Sequence, residues 1–185
     1  MIILASSSPR RKQLLSQLVD SFYIYKVDID EEKSYILPYQ EAVKDISIRK
    51  GLKAKEIYPN DIIISADTIV VVNNQIIGKP KDKKDAYEIL KMLSGKTHEV
   101  ITSYTIIFKD KLINKSVVSF VTFNSLNDEL INRYIESGSP MDKAGAYGIQ
   151  DNEQFPIISH YEGSLNNIIG FPIEEIKIDL ESITK

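Results

Sequence analysis

Apolar positions along the chain alternate between short continuous runs and helical stripes. Ile2 to Ala5 is apolar and reads as a buried strand. Ser6-Ser7-Ser8-Pro9 follows, offering an N-cap and a proline suited to a first helical turn, and from Arg10 to Leu18 the side chains Leu14, Leu15 and Leu18 recur at helical spacing. Alternation predicts a strand from Phe22 to Ile29. Ala42, Val43, Ile46 and Ala54 mark one face of a helix from about Pro38 to Ile57. The clearest strand signal is Asp61 to Val72, β-branched and almost wholly apolar except at Ser65, Asp67 and Thr68. Asn73-Asn74 predicts a hairpin turn that returns through Gln75 to Gly78.

The second half continues the pattern. A helix is predicted from about Lys83 to Leu93, capped by Asp82 and broken by Ser94-Gly95. Glu99 to Phe108 and Lys115 to Asn124 read as long strands, and Asp128 to Ser137 as a helix with Leu130, Ile131 and Tyr134 facing inward. Gly138 to Gly170 is rich in glycine and loops, and a short final helix closes the chain. Strands and helices interleave, yet the hairpins imply antiparallel pairs. The expected fold is therefore α/β with a mixed sheet and flanking helices, not a regular doubly wound one. No repeat, low-complexity tract or long linker interrupts residues 1–185, so one domain is expected, with two lobes around a cleft.

Composition narrows the chemistry. A chain of 185 residues can bury about 70% of its unfolded surface, so no staple is required. The absence of cysteine excludes disulfides, thiolate metal sites and a cysteine nucleophile, and two histidines, His98 and His160, are too few for a histidine-based zinc site. The net charge of −3 argues against a protein that grips nucleic-acid backbone. Met1 to Ala5 is too short for a signal peptide or membrane span, which points to a soluble cytoplasmic protein with no membrane partner.

Candidate site residues stand out against this background. Ser6, Ser8, Arg10 and Arg11 lie where a strand passes into a helix, a place where backbone N–H groups, hydroxyls and guanidinium groups suit a polyphosphate. The alternative is a serine-capped helix with solvated arginines. Asp67 is a carboxylate inside an apolar strand, costly unless paired, hydrogen-bonded or metal-bound, and so placed that its pKa can be tuned for general base work. Its structural alternative is a buried salt bridge to Arg10 or a lysine. Asp28, Asp30, Glu31 and Glu32 form an acidic run of which one or two members are expected at a magnesium site, the rest being solvated. Lys50, Lys79, Lys96 and Lys143 together would make a cationic site for an anionic small ligand. Ser94-Gly95-Lys96-Thr97 imitates the end of a phosphate-binding P-loop, but Leu90 stands where that motif needs glycine, and the segment leaves a helix instead of entering one.

In this order, Leu4-Ala5-Ser6-Ser7-Ser8-Pro9-Arg10-Arg11, Glu31-Glu32, Lys50, Ala66-Asp67-Thr68, Gly78-Lys79-Pro80 and Leu93-Ser94-Gly95-Lys96-Thr97-His98 resemble the signatures of the Maf nucleotide pyrophosphatases. Asp142-Lys143-Ala144-Gly145-Ala146-Tyr147-Gly148-Ile149-Gln150 and Gly163-Ser164 through Gly170-Phe171-Pro172 complete the set, so the resemblance covers essentially the entire chain. It implies an elongated, inosine-triphosphatase-like mixed α/β fold with a nucleotide-binding cleft, often dimeric, that cleaves between the α and β phosphates with a divalent cation, Mg²⁺ or Mn²⁺. It further implies Asp67 as proton acceptor, with Glu31 and Lys50 beside it and Glu31 and Asp67 on the metal. Arg11, Thr68 and Gln150 match the positions tied to base choice in the dTTP and UTP branch, and Ser6, Ser8, Arg10, Lys79 and Lys143 would hold the substrate. The sister branch prefers 7-methyl-GTP, and a nucleotide-binding regulator of cell division is a non-catalytic alternative. Ser47 and Gly51 replace alanines common around the family lysine, and Leu165 stands where an aromatic residue is frequent.

Overall fold

A three-residue apolar run at the amino terminus becomes the centre of a parallel trio. In the computed structural model, which describes residues 1–185, β1 (Ile2–Leu4) pairs in parallel with both β2 (Tyr23–Ile24) and β3 (Ile62–Val72). β4 (Gln75–Ile77) returns antiparallel on β3 through Asn73 and Asn74, both at positive φ, as a two-residue hairpin turn requires. β5 (Thr97–Phe108), β6 (Lys111–Phe123) and β7 (Ile158–Glu162) extend the sheet to the order β2-β1-β3-β5-β6-β7, with β4 attached to β3. The helices are α1 (Pro9–Leu15), α2 (Tyr39–Ile57), α3 (Lys83–Leu93), α4 (Asp128–Glu136), α5 (Leu165–Ile169) and α6 (Ile173–Ile183). The mixed α/β class expected from the sequence is the one observed. No helix is long and apolar enough to cross a membrane.

Two compact units share the chain: Met1–Thr68, Thr102–Val117 and Ser164–Lys185 in the first, Ile69–Ile101 and Val118–Gly163 in the second, with β3, β5 and β6 running from one into the other. In the first unit the period of two along the strands separates two cores. Leu4, Ile64, Ala66, Tyr104 and Ile106 pack with Leu14 and Leu15 of α1 and Ile173, Ile176 and Ile183 of α6. Ile3, Ala5, Ile63 and Ile107 take the opposite face, against Ala54 of α2. Asp67 has the parity of Ile63 and so belongs to the α2 face. In the second unit α3 packs on α4, burying Leu90 and Leu93 from one and Ile131 and Tyr134 from the other.

Four expectations need correction. The strand predicted over Phe22 to Ile29 stops at Ile24, because side chains of α2 take the carbonyls beyond it: Lys53 Nζ donates to Asp28 O and Arg49 Nη2 to Asp30 O. β6 begins at Lys111, not Lys115. The Asn114 amide donates to the hydroxyls of Ser103 and Thr105 on β5 and of Ser47 on α2, and Lys109-Asp110 alone makes the turn. Ile135, not Leu130, completes the buried face of α4, since positions 131, 134 and 135 follow the i, i+3, i+4 rule while Leu130 is only half-buried. The loop-rich stretch after Gly138 hides β7 and α5, and β7 exposes four of its five residues, leaving no alternation to detect.

Candidate active site

α2 and β3 bring opposite charges together inside the first unit. Lys50 Nζ lies 2.6 Å from Glu31 Oε1 and 3.1 Å from Asp67 Oδ1, so one ammonium group is shared by two carboxylates. Asp67 is 7% exposed. Burial raises its pKa, Lys50 and then Arg11 pull it back down, and Glu31 pushes it up. The partner of Asp67 is thus Lys50, not Arg10. Of the acidic run, only Glu31 reaches this group; Asp28 and Asp30 turn their carbonyls to α2, and no cluster of three or more acidic or histidine side chains forms. The loop carrying Glu31 is pinned by Arg49, whose Nη1 donates to Ser34 Oγ at 2.8 Å. Tyr35 follows Ser34; burial, Asp67 and Glu31 push its phenol up to about 12.

The serine–arginine turn is organised differently from the sequence expectation. Ser8 caps α1 by accepting from Arg11 N, and Ser6 Oγ accepts from Ser8 N at 3.2 Å. Two of the N–H groups expected to face an anion are therefore already engaged by serine oxygens. Arg10 sits half-buried in the first turn. Arg11 reaches inward: Nε donates to Gly170 O at 2.9 Å, Nη1 to Ala66 O at 2.9 Å and Nη2 to Thr68 Oγ1 at 3.0 Å. Burial lowers its pKa, with Asp67 opposing. Thr68 Oγ1 lies 2.9 Å from Thr102 Oγ1, which donates to Asn167 O, so a chain of hydrogen bonds runs from α1 through β3 and β5 to α5. Sequence reading missed Thr102 and Asn167. In the sequence each stands beside another polar residue, Ser103 and Asn166, and only the structure reveals that both are fully buried.

In the second unit Lys143 and Gln150 come together over Gly148. A Cβ at Gly148 would lie 2.8 Å from Lys143 Cε and 2.9 Å from Gln150 Oε1, so only glycine leaves both side chains their places. Lys143 Nζ also donates to Ser139 Oγ and pairs with Asp142 at 2.8 Å. The turn bearing Gln150 is held by Asp151, which accepts from the hydroxyls of Tyr134 and Ser139, both at 2.7 Å, while Tyr134 accepts from Gly148 N. Lys79 and Lys96 are exposed. His98 is buried against Phe123 and Tyr147, with Nε2 2.7 Å from Tyr147 Oη.

In the first unit, then, two carboxylates and an ammonium group are assembled where a proton or a cation can be held. The chain matches the model of the family described as Maf-like protein over residues 1–183. It is 42% identical over 184 residues to the dTTP/UTP pyrophosphatase of Clostridium botulinum strain Eklund 17B, covering 97% of each chain. It is 44% identical to the protein of the same name from Pyrococcus furiosus, over 93% of this chain and 90% of that one. Among solved structures it is similar to the Staphylococcus aureus Ham1 protein, with a TM-score of 0.57 and 11% identity over 98% of both chains, a likeness of fold alone. By the match of its sequence over nearly its whole length, the chain belongs to the Maf-like protein family.

Proposed function

We propose that this chain is a nucleoside triphosphate pyrophosphatase that converts dTTP and UTP to the monophosphate and pyrophosphate, a house-cleaning role in the cytoplasmic nucleotide pool. The observation that carries this reading is the buried Asp67 carboxylate, held by Lys50 in common with Glu31. Relatives named for that activity, at 42% and 44% identity, support it.

Asp67 accepts the proton of a water whose oxygen attacks the α-phosphorus; the bond to the bridging oxygen breaks and pyrophosphate departs. Burial raises the carboxyl's pKa and with it its basicity, while Lys50 favours the ionised form and orients it. Ser6, Ser8 and Arg10 contact phosphate oxygens, and Arg11 holds Thr68 in place. The donor set fits a hard divalent cation, because two carboxylates already converge on one positive centre. Bound to Glu31 and Asp67, magnesium or manganese would neutralise charge on the triphosphate and on the leaving pyrophosphate. In the second unit Lys79 and Lys143 supply positive charge. Gln150 reads the pyrimidine edge, its amide accepting from the uracil or thymine N3–H and donating to a ring carbonyl.

The test is product analysis across UTP, dTTP, CTP and 7-methyl-GTP, with and without EDTA, for the wild type and Gln150→Glu. Monophosphate plus pyrophosphate, EDTA sensitivity and a UTP and dTTP preference are expected. Gln150→Glu should erode that preference over CTP by about 5- to 150-fold, the worth of one bidentate contact. Orthophosphate plus diphosphate as primary products would sink the mechanism.

A further inference from the structure

α2 comes close to β3 at Gly51, next to Lys50. A Cβ built on Gly51 would lie 2.8 Å from Ser65 Oγ and 3.1 Å from Ile107 Cδ1. The space a side chain would need is filled by the Ser65 hydroxyl, which donates to Ser47 O at 2.7 Å. That carbonyl, one turn before Gly51, is the ordinary helical acceptor for the Gly51 N–H, and its second lone pair takes the serine. Ser47 Oγ in turn lies 2.9 Å from Thr105 Oγ1 and 3.1 Å from Ser103 Oγ on β5. Ser47, Ser65, Ser103 and Thr105 are all fully buried.

The placement matters because of what lies beside it. Ser65 and Asp67 are two apart on β3 and therefore share the face toward α2. Lys50 and Gly51 are consecutive on α2, so the stop between Ser65 and Gly51 sits directly next to the Lys50–Asp67 pair at 3.1 Å. We propose that Gly51, Ser65 and Ser47 form a spacer that sets the distance at which α2 presents Lys50 to Asp67. They are positioning residues, and the inference rests on the reaction proposed above. Ser47 and Gly51, one turn apart on α2, thereby form one arrangement. With Gly51 the helix comes close enough for Ser65 to grip its backbone, and with a methyl there the hydroxyl would have no room.

Helix propensity favours alanine over glycine in a helix interior, so any loss on Gly51→Ala measures the clash and not the helix. In Gly51→Ala, kcat for UTP hydrolysis should fall between about 10- and 100-fold, the scale for a displaced catalytic group. KM should stay within about threefold, since the substrate contacts remain. Gly51→Ala/Ser65→Ala removes the hydroxyl that the methyl strikes, and kcat should return to within about threefold of wild type, a non-additivity expected only of groups in contact. Ser65→Thr crowds the same space from the strand and should also lower kcat, which covers a Gly51→Ala chain that fails to fold. A folded Gly51→Ala with kcat within about twofold of wild type, or a double variant that regains thermal stability without kcat, overturns the spacer. A crystal structure of Gly51→Ala needs no turnover: the Lys50–Asp67 separation should grow by about 0.5 Å or more, and an unchanged separation refutes the proposal. If the wild type hydrolyses no nucleotide, the reaction is wrong, and this separation still decides the spacer.

Discussion

In the first unit two buried aspartates pair with lysines, and the two pairs have opposite characters. Asp67 and Lys50 lie on the α2 side of the sheet, their side chains 11% and 12% exposed, and Lys50 is shared with Glu31. Asp179 and Lys115 lie on the α6 side, 2.6 Å apart; there the aspartate is 6% exposed but the lysine 55%. Asp179 also accepts from the Tyr104 hydroxyl at 2.6 Å, so each of its oxygens has a donor of its own. One pair locks a helix to a sheet. The other divides one ammonium group between two carboxylates, while burial keeps Asp67 above its ordinary pKa against the pull of that lysine. The difference lies in how completely each carboxylate is satisfied, not in residue type.

Breaking the two aspartates should separate these roles. Asp67→Asn should cost at least about 10²-fold in kcat while folding survives, because the amide keeps the shape and loses the base. Steady-state kinetics with a circular-dichroism melt check it, and near-normal turnover would make Asp67 structural. A third buried ionisable group, His98 in the second unit, sharpens the contrast through stability alone. Burial lowers its pKa from 6.5 to about 4, so as pH falls the unfolded chain binds the proton first. Its contribution is intact above about 6.5 and is lost as pH falls to about 4, amounting to roughly 3 kcal/mol. Urea titrations across this range should show that component in wild type and not in His98→Phe; equal slopes would contradict it.

Smaller effects are expected on the α6 side. Asp179→Asn should lose about 2 kcal/mol of stability, since charge-assisted bonds from Lys115 and Tyr104 weaken, yet keep kcat within about threefold. A large fall in kcat without loss of stability would erase the distinction between the pairs. Lys115→Met should cost less than about 1 kcal/mol by denaturant melt, because its ammonium group is largely solvated and exposed pairs contribute little. A loss as large as that of Asp179→Asn would show that this lysine, not Tyr104, anchors the aspartate.

Features carried by neighbouring residues were legible in the sequence. The Ser8 cap, the Asn73-Asn74 turn, the helix opened by Asp82 and the long β3 with Asp67 in it are all written in short windows. Asp67 stood out because a charge in an apolar strand is costly wherever that strand packs. The end of β2 was not legible, since Lys53 and Arg49 approach it from 25 and 19 residues away. The inward turn of Asn114 was equally hidden, because Ser47, the farthest of its partners, lies 67 residues away.

The sequence by itself determined the mixed α/β class, the family and the residue types available for chemistry. These follow from periodicity, turn chemistry and motif order, which are local properties of the chain. Only the tertiary structure decided that Lys50 is the partner of Asp67, that Arg11 turns inward to Ala66, Thr68 and Gly170, and that Gly51 is small because Ser65 fills its place. Each of these is a pairing between elements distant in sequence. Which lysine or which hydroxyl meets a given group depends on helix rotation and strand register to within an ångström, and a one-dimensional pattern does not specify that.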